Sequence, residues 1–184
     1  MDSSTQDELL ARWRSGDLRA GRQLLRANMP TLRRFFANKA GSQLDDLIQE
    51  TLARCVEGLA RFEGRASFRS YMLGVARNVW LETLRERYGP RVDTARTSLV
   101  DLGMSPSEHY RRDAARQQVM QALRELPLDH QVLLELYYWE ECSLAEIAEI
   151  LEIPKGTVKS RLHAARGTFE RQFKRSELLR GFRP

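Results

Sequence analysis

SLAEIAEILEIPKGTVKSRL, residues 143–162, decides how the rest of the chain is read. Ser143 places a hydroxyl at a helix N-cap and Glu146 a carboxylate three residues on, the reciprocal pairing that satisfies orphan amides at a helix start. Leu144, Ile147, Ala148 and Leu151 then recur at helical spacing, and Val158, Leu162, Ala165 and Phe169 do the same beyond Pro154. Only Glu152 and Ile153 separate the two runs, which is the short bend of a helix-turn-helix. The second helix carries Gly156, Ser160, His163, Ala164, Gly167 and Arg171 opposite its apolar stripe, flanked by Lys159, Arg161 and Arg166. Small side chains let a helix sink into a major groove, while Lys and Arg meet phosphates and guanine edges. Lys155, Gly156, Thr157, Lys159, Ser160, Arg161, His163 and Arg166 are therefore the expected duplex-contacting residues.

Working outward, the apolar spacing stays helical and the expected fold class is all-α. Upstream in the same half, helices are expected at 106–125, begun by Ser105-Pro106-Ser107-Glu108, and at 129–139. In the first half, Leu44, Leu47, Ile48, Leu52, Cys55, Val56 and Leu59 form one stripe, leaving Asp45, Asp46, Gln49, Glu50 and Glu57 on other faces. A second long helix is expected over 67–87, burying Phe68, Met72, Val75, Ala76 and Val79. Ser4 to Asp7 reads as a further capped start, and Pro30 divides an earlier run into helices at 17–28 and 30–38. Periodicity stops between Tyr88 and Ser105, where Gly, Pro, Ser and Thr accumulate. The expected architecture is two small helical domains, 1–88 and 106–184, joined by a flexible linker at 89–105.

Charge is distributed unevenly along the 184 residues. The chain has 30 Lys and Arg against 25 Asp and Glu, a formal +5, with 42% hydrophobic residues. Residues 124–153 hold one Arg and eight acids, a net of −7, while 154–184 hold nine bases and two acids, a net of +7. Residues 61–92 carry seven Arg and three Glu, a net of +4. Cys55 and Cys142 have no companion at metal-ligand spacing, and His109, His130 and His163 are scattered, so no metal, cofactor or catalytic residue is expected. Gly64, Gly156 and Gly167 form no phosphate-cradling loop. No run reaches the roughly 18 apolar residues of a membrane span and the N-terminus is polar, so a cytoplasmic, reduced protein without membrane insertion is expected.

The stretch Leu44-Asp45-Asp46-Leu47-Ile48-Gln49-Glu50-Thr51, followed by residues 61–71 and by Ala76-Arg77-Asn78, resembles region 2 of bacterial sigma-70-type sigma factors. Leu126-Pro127, Glu146-Ile147-Ala148 and residues 154–162 resemble their region 4. The short interval between them leaves no room for a region 3, an architecture similar to the extracytoplasmic-function group. The resemblance implies a non-enzymatic factor that binds core RNA polymerase and directs it to promoter DNA. It assigns Asp45, Asp46, Gln49 and Glu50 to the clamp helices of the polymerase β′ subunit, and region 4 to the β flap. It assigns Arg61, Phe62, Arg65, Ser67, Arg69, Tyr71, Arg77 and Asn78 to the unpaired −10 strand, with Phe62 and Tyr71 as stacking rings, and the second helix of the helix-turn-helix to the −35 duplex. An anti-sigma factor is an expected partner.

One departure concerns Leu73 and Gly74, which stand where primary sigma factors carry adjacent strand-separating tryptophans. Weaker melting per contact, and hence dependence on near-consensus promoters, is the expectation. Two other readings remain open on the residues alone. A stand-alone activator would use the helix-turn-helix on paired duplex half-sites without polymerase. An all-helical adaptor would touch no DNA.

Overall fold

The computed structural model describes residues 3–62, 64, 66–90, 92–104 and 114–181. Among them it has eight α-helices and no strand: α1 Ser3–Arg14, α2 Leu18–Ala37, α3 Leu44–Gly58, α4 Phe68–Tyr88, α5 Ala114–Arg124, α6 Leu128–Tyr138, α7 Leu144–Leu151 and α8 Lys155–Gly181. Short 3-10 turns at Gly41–Gln43 and Leu59–Arg61 bracket α3.

Local chemistry explains the ends. The Asp17 carboxylate accepts from the amides of Arg19 and Ala20 at 2.9 and 3.1 Å, starting α2. Ser67 caps α4 by accepting from the Ser70 amide at 3.1 Å. Ser143 and Glu146 form the full capping box ahead of α7. Glu152 ends α7 at φ 54°, a left-handed turn that reverses the chain into α8.

Two expectations about helices change, and a third cannot be placed. Pro30 does not divide α2, which runs through it; Pro30 and Arg26, whose carbonyl loses its amide partner, both lie on the exposed side, where water can satisfy the orphan group. Ser4 lies inside α1 rather than at its cap, because the helix already includes Ser3. The cap expected at Ser105–Glu108 falls outside the described residues.

The segment read as a flexible linker is folded over 92–104. Leu99 is fully buried, and the amides of Leu128 and Asp129 donate to the carbonyls of Thr97 and Thr94 at 2.9 and 3.1 Å. Asp101 accepts from the Ser98 amide and hydroxyl at 2.8 and 2.7 Å, closing a local turn. Turn-forming composition thus marks changes of direction; one buried leucine and the backbone bonds to α6 hold them in place.

Helices α1 to α4 form one bundle around Leu24, Phe35, Phe36, Phe68, Met72 and Trp80. Helices α5 to α8 form a second around Leu126, Leu136, Ile147, Val158 and Ala165. The bundles are not separate in space, for α4 packs along α7 and the buried apolar residues make one continuous cluster. Gly74 lies at this approach: a Cβ there would stand 3.8 Å from the Ile150 carbonyl oxygen, an ordinary van der Waals contact.

Candidate nucleic-acid interface

Helices α3 and α4 and the turn between them enclose an open cavity of about 710 Å3 lined by Arg61, Phe62, Tyr71, Asn78 and, from α7, Glu149. Tyr71 is half-buried, with its hydroxyl in the space that Gly58 leaves by lacking a side chain. Phe62 is stacked on it, ring centroids 4.5 Å apart at 29°. Phe62 is only 8% exposed, so one of the two expected stacking rings is already committed to the other. Phe68 is core, as expected, and so is Trp80. The cavity is large enough for a flipped base, and its aromatic wall offers a π-face.

The remaining residues expected on this face divide. Arg61 and Asn78 are exposed, and Asn78 accepts from the Arg77 guanidinium at 3.4 Å. Ser67 is spent on the α4 cap. Arg69 turns away from the cavity and donates to the Glu140 carboxylate at 2.8 Å. Arg77 is half-buried against the second bundle, where burial lowers its pKa from the ordinary arginine value while Asp129 and Glu152 oppose that shift. Arg65 lies outside the described residues. Leu73 is fully buried, so a tryptophan there would enter the core rather than meet DNA, and Gly74 faces Ile150. The missing tryptophans therefore leave these two positions to internal packing.

On α8, Lys155, Gly156, Lys159, Ser160, Arg161 and His163 are exposed, and nothing lies within 4 Å of a Cβ placed at Gly156. Thr157 is half-buried, its carbonyl accepting from the Ser160 hydroxyl at 3.0 Å. Arg166 differs from its expected direction. Its guanidinium lies over the rings of Tyr137 and Tyr138, 5.1 and 5.5 Å from their centroids, and helps line a cavity of about 360 Å3 between α5, α6 and α8. The aromatic pair draws the cation inward.

Asp45, Asp46, Gln49 and Glu50 are all exposed on α3. Asp45 meets Arg33 at 3.4 Å, and Glu50 meets Arg54 at 2.7 Å, with Arg54 also bonded to Glu82. Val56, expected on the buried stripe, is 49% exposed. Cys55 and Cys142 are buried, and desolvation pushes their thiols up to about 12 and about 11. His163 is exposed, His130 is half-buried, and His109 falls outside the described residues.

Reading the sequence missed the charged residues between the bundles. Lys39 and Glu135 are both buried and paired, Arg34 holds Glu140 through two bonds at 3.1 and 2.9 Å, and Arg124 donates to the Asn38 carbonyl at 2.8 Å. A signal existed: Glu135 interrupts the apolar run Val132-Leu133-Leu134-Glu135-Leu136, and a carboxylate in such a run needs a buried partner.

Residues 24–88 match the family model for sigma-70 region 2, and residues 116–168 match that for sigma-70 region 4. The ECF RNA polymerase sigma factor SigC of Mycobacterium tuberculosis is 31% identical over 154 residues, 82% of each chain. SigW of Bacillus subtilis is 26% identical over 142 residues, 72% of this chain and 76% of that one. Among solved structures, CnrH in complex with the cytosolic domain of CnrY superimposes with a TM-score of 0.66 at 21% identity, covering 97% of this chain and 99% of that one. RpoE of Bartonella quintana, solved with the anti-sigma factor NepR, gives 0.63 at 23% identity over 83% and 96%. No helix among the described residues is long and apolar enough to cross a membrane. With both regions present in order on an all-α scaffold, the chain belongs to the extracytoplasmic-function group of sigma-70 factors, which direct promoter-specific transcription initiation and catalyse no reaction themselves.

Proposed function

We propose that the α3–α4 cavity receives an unpaired base of the −10 element, with Tyr71 as its stacking wall and Arg61, Arg65, Arg77 and Asn78 tracking the strand. The exposed face of α8 from Lys155 to His163 reads the −35 duplex, and Asp45, Asp46, Gln49 and Glu50 dock on basic clamp helices of the polymerase β′ subunit. Domain boundaries near 88 and 106 separate the two readers, and the 360 Å3 apolar cavity of the second bundle faces the β flap. The protein works in the cytoplasm. An anti-sigma factor regulates it, a reading supported by the solved RpoE of Bartonella quintana being in complex with the anti-sigma factor NepR.

The observation that carries the reading is the cavity itself, an aromatic-walled pocket with arginine at its rim inside the matched region 2 segment. Base–aromatic stacking contributes about 1–3 kcal/mol per base, and arginine adds the backbone attraction. The test is reconstitution with core polymerase. The parent chain co-elutes with core and yields promoter-specific run-off transcripts; Asp46→Arg loses co-elution, whereas Tyr71→Ala keeps it and loses open-complex formation. Run-off unaffected by Tyr71→Ala overturns the cavity assignment.

A further inference from the structure

Between α4 and the second bundle lies a cavity of about 160 Å3 lined by Arg77, Asp129, His130 and Arg161, with Leu133 and Leu151 in its apolar wall. Its charged groups are near one another without being paired. Asp129, Glu152, Arg85 and Arg161 all act electrostatically on Arg77, and Asp129, Arg161 and Arg171 act on His130. Yet neither Arg77 nor Arg161 forms an ion pair among the described residues, and the Arg77 guanidinium makes a single hydrogen bond there, to the Asn78 side chain at 3.4 Å. A guanidinium has five N–H donors, and one that is half-buried needs acceptors that the neighbouring side chains leave unsupplied. His130 adds a further open position, for its Nδ1 is buried with no hydrogen-bond partner. Burial lowers the pKa of this imidazole from its ordinary value, so at neutral pH it is uncharged and its Nδ1–H tautomer can donate.

We propose that this cavity binds inorganic phosphate, clamped between the Arg77 and Arg161 guanidiniums and recognised as a protonated ion by Asp129. Two guanidiniums supply the N–H forks that match phosphate oxygens. They come from different bundles, Arg77 from α4 and Arg161 from α8, so the bound ion joins them. The apolar wall keeps water sparse around the ion and strengthens each contact. Asp129 decides which oxyanion enters. An ionised carboxylate accepts hydrogen bonds only, and it repels an anion that has no proton to share. Inorganic phosphate keeps at least one proton at neutral pH, so its P–OH group donates to the carboxylate while the other oxygens accept from the arginines. Sulfate and the phosphodiesters of a nucleic-acid backbone have no proton to give. On the DNA assignments above, a bound phosphate occupies one arginine of each promoter reader, which makes the ion a competitor of DNA. That consequence rests on those assignments; the binding itself does not.

The test is isothermal titration calorimetry of the full chain with inorganic phosphate, sulfate and dimethyl phosphate, at matched ionic strength and without DNA or polymerase. Phosphate binds saturably, and sulfate and dimethyl phosphate bind about tenfold or more weakly, the effect of losing one charge-assisted hydrogen bond. Arg161 is exposed, so Arg161→Ala leaves the core intact; it weakens phosphate about tenfold with an unchanged circular dichroism spectrum. Asp129→Asn presents an amide that donates to any oxyanion, and brings sulfate to within about threefold of phosphate. Absence of saturable phosphate binding by the parent chain overturns the proposal. So does a parent that binds sulfate as tightly as phosphate, or an Arg161→Ala chain with the parental affinity. Dimethyl phosphate that competes on equal terms with phosphate also refutes it, by assigning the arginines to a nucleic-acid backbone. No arm contains promoter or core polymerase, so these failures are separate from a failure of the run-off test.

Discussion

Replacing Lys39 with methionine tests the buried pair at the centre of the molecule. The Lys39 ammonium is inaccessible, lies 3.9 Å from the centroid of the Phe35 ring, and donates to Glu135. Burial lowers its pKa from the ordinary lysine value, and the Glu135 carboxylate opposes that shift. The other Glu135 oxygen accepts from the Gln131 amide at 2.9 Å, so Lys39→Met leaves a buried carboxylate with one neutral donor. Breaking one side of such a pair costs about 3–5 kcal/mol, whereas replacing both sides with apolar residues of similar volume is neutral or stabilising by about 1–4 kcal/mol. The chain has an escape, because Lys39 follows α2 and Glu135 lies on α6, so parting the bundles rehydrates the carboxylate. The loss in global stability is capped at the free energy that holds the bundles together. Urea unfolding followed by circular dichroism, with small-angle scattering in native buffer, separates these outcomes. Lys39→Met is expected either to lose about 3 kcal/mol or to expand in native buffer. Lys39→Met/Glu135→Leu is expected to stay compact and within about 1 kcal/mol of the parent. A single variant that keeps both the parental compactness and stability within about 0.5 kcal/mol refutes the reasoning.

Three further outcomes follow from local geometry. Ser143→Ala removes the hydroxyl that accepts from the Glu146 amide and is expected to cost about 1 kcal/mol in thermal or urea unfolding, with Ser143→Asp retaining most of it. Gly21→Ala gains up to about 1 kcal/mol in helix propensity but places its Cβ 2.5 Å from the Trp13 indole nitrogen, so net destabilisation of about 1–2 kcal/mol is expected from the same measurement. The Ser98 hydroxyl and amide hold the Asp101 carboxyl below its ordinary pKa. With the folded value below the unfolded one, its contribution is present above the ordinary carboxylate range and is lost as pH falls through the folded value. Amide exchange at Ser98 should accelerate at that acid step in the parent and show no such step in Asp101→Asn.

The helix-turn-helix was legible because its signals are local: a capping box, two apolar stripes and a short bend all lie within residues 143–169. The α3 acidic face and the Ser67 start of α4 were readable for the same reason. What escaped depends on partners distant in sequence. Nothing near Arg69 announces Glu140, 71 residues away, and a surface arginine has the same spacing whether it meets DNA or another helix. Arg166 was misdirected because helical periodicity gives a face but not the reach of a long side chain toward Tyr137 and Tyr138. Phe62 is expected as a ring that stacks on DNA, but in the free chain it is buried and its stacking partner is Tyr71.

The folded connection sets a leash. Because residues 92–104 are tied to the second bundle, the slack between the bundles shrinks to the few residues between Tyr88 and Val92, anchored on one side by Gly89 at φ 97°. Four residue steps reach at most about 14 Å, against about 60 Å for a fully extended eighteen-residue connection. A short leash keeps the effective concentration of one bundle near the other high, so closure recurs quickly after each opening. It also acts as a ruler. On the proposed assignment, two promoter elements can be read together only at the separation that the tethered bundles span, unless the connection itself peels away from Leu128 and Asp129 and gives up the buried Leu99. Tolerance for spacer length would then be bought from the stability of that one small turn.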